Sequence, residues 1–436
     1  MMKKIFTILI IIMTATTIFA VDQYETNEPK SIYVSVDGND AFDGSNTHPF
    51  RTLKKAASEA KAGTTVYVKE GTYHEQLLIT HSGTKSNPIT FTNYKQDKVI
   101  LSGKNINVND DDTSLITIRD QDHITIRGFT IQDLTTNSTD ETVMGIYVTG
   151  SSSHITLENN HVQRIRTLAD DGNAHGIAIY GTGAMKNIRV IHNTVEKLIL
   201  GASEAIVLNG NIDVFTIERN TVRNNNNIGI DLIGYEGVAK DKNADYVRNG
   251  TVVDNLVYNI SSYGNPAYGH EYSAAGIYID GGKDILLENN TVYESDIGIE
   301  ATSEHKKKYA EQIEISNNRI YDNFYTGISI GGYDHRRGGT KDSTISHNIL
   351  YRNDTKGLNG GQLLLQHDVT NNLIEKNTLT TSPSRIFIAN YFTTNEGNVL
   401  KENVYDKEEG NHGIWIWKNK EYTRLSTFKT ASHSDE

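Results

Sequence analysis

Acidic residues recur inside one repeating frame: Asp231 in Gly229-Ile230-Asp231-Leu232, Glu300 in Gly298-Ile299-Glu300-Ala301, and Asp280 directly after Gly276-Ile277-Tyr278-Ile279. The frame also returns at Gly145, Gly176 and Gly327, and as Glu204-Ala205-Ile206-Val207-Leu208. Stacking these segments at about 4.8 Å per rung places Tyr147, Ala178, Val207, Asp231, Tyr278, Glu300 and Ser329 in one outward column. A second outward column holds Thr149, Tyr180, Asn209, Ile233, Asp280, Thr302 and Gly331. Asp231 and Glu300 then lie two rungs apart, about 9–10 Å, with Tyr278 between them and Asp280 roughly 8 Å from each. Glu204 approaches Asp231 from the preceding rung. Two carboxylates about 6.5–9.5 Å apart leave room for a water, as acid and base of an inverting glycosidase. The same oxygens can instead hold a hard cation such as Ca²⁺, with Glu204 and Asp231 as the metal ligands. Like charges in one strand column repel, so the cluster implies a counterion, a shared proton or a function.

Loops beside these rungs add titratable and aromatic groups. His270-Glu271-Tyr272 precedes the Gly276 frame, Ser303-Glu304-His305 follows Glu300, and Asp334-His335-Arg336-Arg337 follows Ser329. His305 or His270 can move protons near neutral pH, and Arg336 or Arg337 can grip a sugar carboxylate in bidentate fashion. Glu271, Asp334 and His335 are candidate substrate contacts on the same loops, as is His175 ahead of the Gly176 frame. Tyr235, with Tyr147, Tyr180, Tyr272 and Tyr278, is a candidate platform for sugar rings. No P-loop, zinc-type His/Cys spacing or Gly-x-Ser-x-Gly elbow occurs.

Positioning such columns requires a solenoid, and the sequence carries one. A unit of the form apolar-x-x-Asn-x-apolar, as in Leu157 to Val162 and Ile217 to Val222, returns around Asn193, Asn255, Asn290, Asn318, Asn348, Asn377 and Asn403. That interval of roughly 30 residues belongs to repeat architectures. Each Asn is expected in a tight turn, where it tolerates a left-handed backbone and bonds its equivalents above and below. An all-β fold is predicted, a right-handed parallel β-helix with a short N-terminal capping helix at Leu53 to Ala60, laid over the open end of the stack. The expected divisions are a signal peptide over 1–20, a cap and first rungs over 21–103, a β-helix catalytic domain over 104–417 and a disordered polar tail over 418–436.

The signal-peptide expectation rests on Met1-Met2-Lys3-Lys4 followed by the apolar run Ile5 to Phe19 and Ala20. It implies an exported protein, extracellular or periplasmic, with no membrane span after cleavage. The chain has no Cys, so disulfides play no part, and its net charge of −12 argues against a nucleic-acid partner. A polyanionic sugar would be repelled unless cations offset the field. A monomer acting on a polysaccharide is expected.

The segments Tyr33-Val34-Ser35-Val36-Asp37-Gly38-Asn39-Asp40, Pro49 to Leu53, and Val66 to Tyr73 resemble the N-terminal cap of pectate-lyase-like β-helix proteins, notably polysaccharide lyase family 9. The resemblance implies β-elimination on a uronic-acid-containing glycan, with Ca²⁺ held by Asp residues on stacked strands and a strand-borne Lys as base. Asp231 resembles one calcium ligand, and Glu204 stands where another acidic ligand would be. The base position holds Tyr278, and the family's other calcium Asp positions hold Asn227 and Ile228. The leading expectation is a lyase with Tyr278 or His305 as base; the alternatives are an inverting hydrolase using Asp231, Asp280 and Glu300, and a non-catalytic glycan-binding solenoid.

Overall fold

The computed structural model describes residues 30–108, 112–381, 383–407 and 412–435, so the expected signal peptide lies outside the described residues. Short strands coil into a 26-stranded and a 12-stranded sheet. Every strand pairing is parallel except the last, between Ile414–Trp417 and Lys420–Tyr422. One inward column runs Ile116, Ile146, Ile177, Ile206, Ile230, Ile277, Ile299, Ile328, Leu363 and Ile388, each opposite the next. All are buried. Because the side-chain period is two, this register fixes the intervening residues as outward columns, and the one through Asp231, Tyr278 and Glu300 is as expected.

Glycine opens these frames for a steric reason. A Cβ on Gly229 would lie 2.5 Å from the carbonyl oxygen of Gly276, and one on Gly298 only 2.4 Å from that of Gly327. The rungs therefore approach closely at this corner. At the opposite corner the Asn side chains form the expected ladder: Nδ2 of Asn255 donates to Oδ1 of Asn290 at 3.0 Å, and Asn290 donates to Asn318 at 3.0 Å. The pattern extends from Asn160 to Asn403. One detail differs from expectation. The left-handed backbone belongs to the residue before each ladder Asn, such as Asp254 (φ 57) and Asn289 (φ 57), while the Asn itself spends its amide on the neighbouring rungs.

Both ends are closed. Thr52 caps the N-terminal helix Leu53–Glu59 by accepting from the Lys55 N–H, and Leu53, Ala56 and Ala57 cover the first rung. At the other end the expected disordered tail is a folded cap. Strand Lys420–Tyr422 turns back antiparallel, and helix Leu425–Ser432 seats the fully buried Phe428 against Trp415, with ring centroids 5.6 Å apart. A bare parallel edge and exposed Trp415 would otherwise end the stack.

Candidate active site

The loop bearing Tyr268 to Ser273 ahead of the Tyr278 strand, and the loops bearing Glu304 and Tyr333 after the Glu300 and Ser329 strands, wall in the outward column, so its acidic residues are buried rather than solvated. Asp231 and Asp280 are 3% exposed and Glu300 7%. A cavity of about 500 Å³ opens over the column, lined by Tyr278, Glu300, Glu304, Asn227, Tyr325 and Gln366 among others. Burial disfavours the charged form of a carboxyl group. It pushes Glu300 up to about 8, with the nearby Glu304 charge adding to the effect. Glu204 is likewise pushed up to about 8 by burial. Asp231 is raised well above the usual range by burial, then by Glu204 and Asp280, and Asp280 is raised by burial as well.

Glu304 has a cationic partner. Its Oε2 lies 2.9 Å from Nε of Arg337, and its two oxygens accept from the hydroxyls of Tyr278 at 3.2 Å and Tyr333 at 3.3 Å. The Glu304 N–H donates to Oδ1 of Asp280 at 2.6 Å, which ties the loop to the strand below. Glu300 is held from the next rungs: its Oε1 accepts from Ser329 Oγ at 3.3 Å, and Ser329 accepts from Gln366 Nε2 at 2.8 Å. One cavity thus joins a buried carboxylic acid to a carboxylate paired with a guanidinium.

Other expected contributors fall elsewhere. Tyr278 is only 6% exposed, and burial drives its hydroxyl well above the ordinary phenol range while it donates to Glu304. It holds its proton and is unsuited to act as a base. His175 is buried, not a substrate contact: its Nδ1–H donates to the Glu204 carbonyl oxygen at 3.1 Å and its Nε2 accepts from the Tyr180 hydroxyl at 3.1 Å. Desolvation pushes it down to about 4, so it is neutral. His305 pairs with Glu236 at 3.0 Å away from the cavity wall. Arg336, 74% exposed, turns to Asp334 at 2.7 Å, so neither reaches the carboxylates, and His335 is exposed beside them. Tyr235 packs under Lys308 and against Tyr246. His270 packs edge-on to Tyr263, while its neighbour Glu271 does line the cavity. Of the loop cations, Arg337 alone among those expected arrives, and it is committed to Glu304.

Sequence reasoning named Glu304 only among a loop's titratable groups, with no role of its own, and passed over Tyr325, Tyr333 and Gln366. The first had a signal, lying four residues beyond Glu300 in a segment rich in titratable groups.

Calcium takes six to eight oxygen ligands. Glu204 and Asp231 supply two carboxylates, and Asp231 Oδ1 has no hydrogen-bond partner. Asn227 donates its Nδ2 to the Ser203 carbonyl at 2.9 Å and leaves its Oδ1, like that of Asp231, without a hydrogen-bond partner, while Ile228 brings no side-chain oxygen and no three His, Asp or Glu side chains converge in metal-holding geometry among the described residues. Two carboxylates and one amide oxygen fall short of a closed calcium cage.

Fold and site together define a right-handed parallel β-helix protein with a carboxyl-lined cleft. A Pel9A-like right-handed β-helix model matches residues 32–195, and a general right-handed β-helix model matches 275–428. Uncharacterized protein YwoF of Bacillus subtilis (strain 168) is 59% identical over 440 residues, covering 100% of this chain and 94% of that one. The chain belongs, with YwoF, to one family of pectate-lyase-like right-handed β-helix proteins. Pectate lyase PEL9 of Emericella nidulans is 38% identical over 77 residues, 17% of this chain and 19% of its own. Among solved structures, a GH136 lacto-N-biosidase from Eubacterium ramulus superposes with a TM-score of 0.60 at 14% identity, covering 87% of this chain and 68% of its own. The A-module of the Azotobacter vinelandii mannuronan C-5 epimerase AlgE4 gives 0.52 at 15% identity, covering 83% and 91%. At such identities these two establish the fold alone.

Proposed function

We propose that this protein is an exported polysaccharide-degrading enzyme that hydrolyses a glycosidic bond, with Glu300 as general acid and Glu304 as general base. The observation that carries the reading is the contrast within one cavity: Glu300 is buried and pushed up to about 8, while Glu304 is paired with Arg337. Environments that treat two carboxyl groups so differently suit an acid and a base working together. Glu300 gives its proton to the glycosidic oxygen, the bond from that oxygen to the anomeric carbon breaks, and Glu304 takes a proton from the attacking water. Asp280 positions Glu304 through its backbone N–H. The absence of an uncommitted Lys or Arg among the described lining residues favours a neutral glycan over a polyuronate. Export is proposed from Lys3-Lys4 and the apolar run that follows, and cell fractionation tests it.

A second reading, β-elimination on a pectate-like chain, has the Pel9A-like match in its favour. That match ends at residue 195, before the first acidic residue of the cleft. The two readings part on a glycan panel assayed for reducing ends and for ultraviolet-absorbing unsaturated ends in the same samples. New reducing ends without the absorbance support hydrolysis, and absorbing products overturn it.

A further inference from the structure

We infer that the N-terminal end of the solenoid carries a separate sugar-binding slot between Tyr67 and Arg127, fitted to a pyranose bearing a carboxylate. One outward column runs Tyr33, Tyr67, Thr92, Arg127, each directly opposite the next. Tyr33 and Tyr67 stack with centroids 5.3 Å apart, and Tyr94 packs edge-on to both. The stack then stops at Thr92.

A longer tyrosine ladder shows the alternative. In the 12-stranded sheet Tyr258, Tyr293, Tyr321 and Tyr351 form an unbroken ladder with centroids 4.8, 4.9 and 4.8 Å apart. A tyrosine at each rung satisfies its neighbours' faces and leaves no gap. Where Thr92 interrupts the column, one face of Tyr67 is left without a stacking partner, and a concavity of about 530 Å³ results, walled by Tyr67, Thr92, Asn93, Gln96, Arg127 and Asn159.

The spacing suits a single sugar ring. Tyr67 and Arg127 are two rungs apart, about 9.6 Å. A ring in van der Waals contact with Tyr67 lies about 4 Å from it, leaving about 5–6 Å to the level of Arg127 for a substituent and its hydrogen bonds. The local charge selects the substituent. Arg127 makes one weak bond, from Nε to Thr92 Oγ1 at 3.4 Å, and although Glu158 stands opposite it on the next rung, no ion pair joins the two. Lys69 sits over Tyr33 and Tyr94, and Lys95 over Tyr94, so cations gather here on a chain of net charge −12. Guanidinium geometry matches a carboxylate in bidentate fashion. The slot is far along the stack from Glu300 and does not depend on the chemistry proposed there.

The test uses the full protein carrying Glu300→Gln, titrated calorimetrically with trigalacturonate and with its neutral methyl ester. Trigalacturonate is expected to bind, and Thr92→Tyr, which continues the ladder and fills the slot, is expected to weaken it at least tenfold with an unchanged circular dichroism spectrum. Tyr67→Ala, which removes the stacking face, should lose at least tenfold toward both ligands, and Arg127→Gln should lose at least tenfold toward trigalacturonate but not toward the ester. No binding by the parent, or undiminished binding by Thr92→Tyr, overturns the slot. Undiminished trigalacturonate binding by Arg127→Gln overturns the carboxylate assignment.

Discussion

Replacing Glu300 by Gln should cut turnover sharply and, at alkaline pH, make the protein more stable. The carboxyl group has an ordinary value of 4.5 and is pushed up to about 8 by burial and the Glu304 charge. Below about 4.5 it is protonated in both folded and unfolded chains and costs nothing. Between about 4.5 and 8 the unfolded chain releases the proton while the folded one keeps it, so stability falls as pH rises, and above about 8 the loss is complete. At about 1.4 kcal/mol per pH unit, the interval corresponds to a ceiling on the order of 5 kcal/mol. Gln keeps the acceptor oxygen that Ser329 and Gln366 approach, and it carries no charge to desolvate. Thermal unfolding of parent and Glu300→Gln at pH 5 and pH 9 should therefore show little difference at the first and a higher midpoint for the variant at the second. The buried His175 works in the opposite direction, losing stability as pH falls from 6.5 toward about 4, but it is common to both proteins and cancels. Activity follows the same group: the parent's rate should fall as pH rises through about 8, and the variant should lose about 10²–10⁴-fold. Equal midpoints at pH 9, or a variant with an unaltered rate, would refute the assignment of Glu300 as a buried acid.

Three further outcomes are expected. Glu304→Gln should lose a comparable 10²–10⁴-fold in rate with an unchanged fold, measured by reducing-end release, whereas retained activity would move the base to Asp280. Exhaustive chelation should leave the rate unchanged, since no three His, Asp or Glu side chains converge in metal-holding geometry among the described residues; loss of activity restored by added Ca²⁺ would return the site to the lyase reading. Asn290→Ala breaks bonds to the rungs on both sides of it and strands a buried Asn255 amide, so it should cost about 1–3 kcal/mol in urea unfolding with no change in substrate affinity.

The sequence made the columns legible because a strand has a side-chain period of two and the frames repeat. Once Ile230, Ile277 and Ile299 face inward, Asp231, Tyr278 and Glu300 can only face outward together. Outward did not mean solvated, and that distinction was not legible. The walls come from loops of unequal length, such as the one bearing Tyr268 and Glu271 and the one bearing Glu304, and no repeat fixes where such loops turn. His305, Arg336 and Asp334 were assigned to the cleft by nearness in sequence to acidic rungs, yet each found a partner on its own loop or a neighbouring one. The C-terminal cap was missed for a related reason. Its apolar content is small, and Phe428 matters only because Trp415 is there to receive it.

A solenoid can tolerate a cluster of buried carboxyl groups that a smaller core would not. Each rung is tied to its neighbours by the Ile column within and the Asn ladder at the corner, so stability is distributed along the stack and one costly stretch need not unfold the rest. The cost is concentrated where it has a use. Rungs before the Asp231 column carry Tyr147, Ala178 and Val207 at the same position, and rungs after Ser329 carry Leu364 and Ala389. Had the carboxyl groups been a by-product of a polar outer face, they would be spread along this column and exposed. They are instead confined to the few rungs over which the loops close, buried with raised proton affinity, and that coincidence of confinement with enclosure is what a site for acid–base chemistry requires.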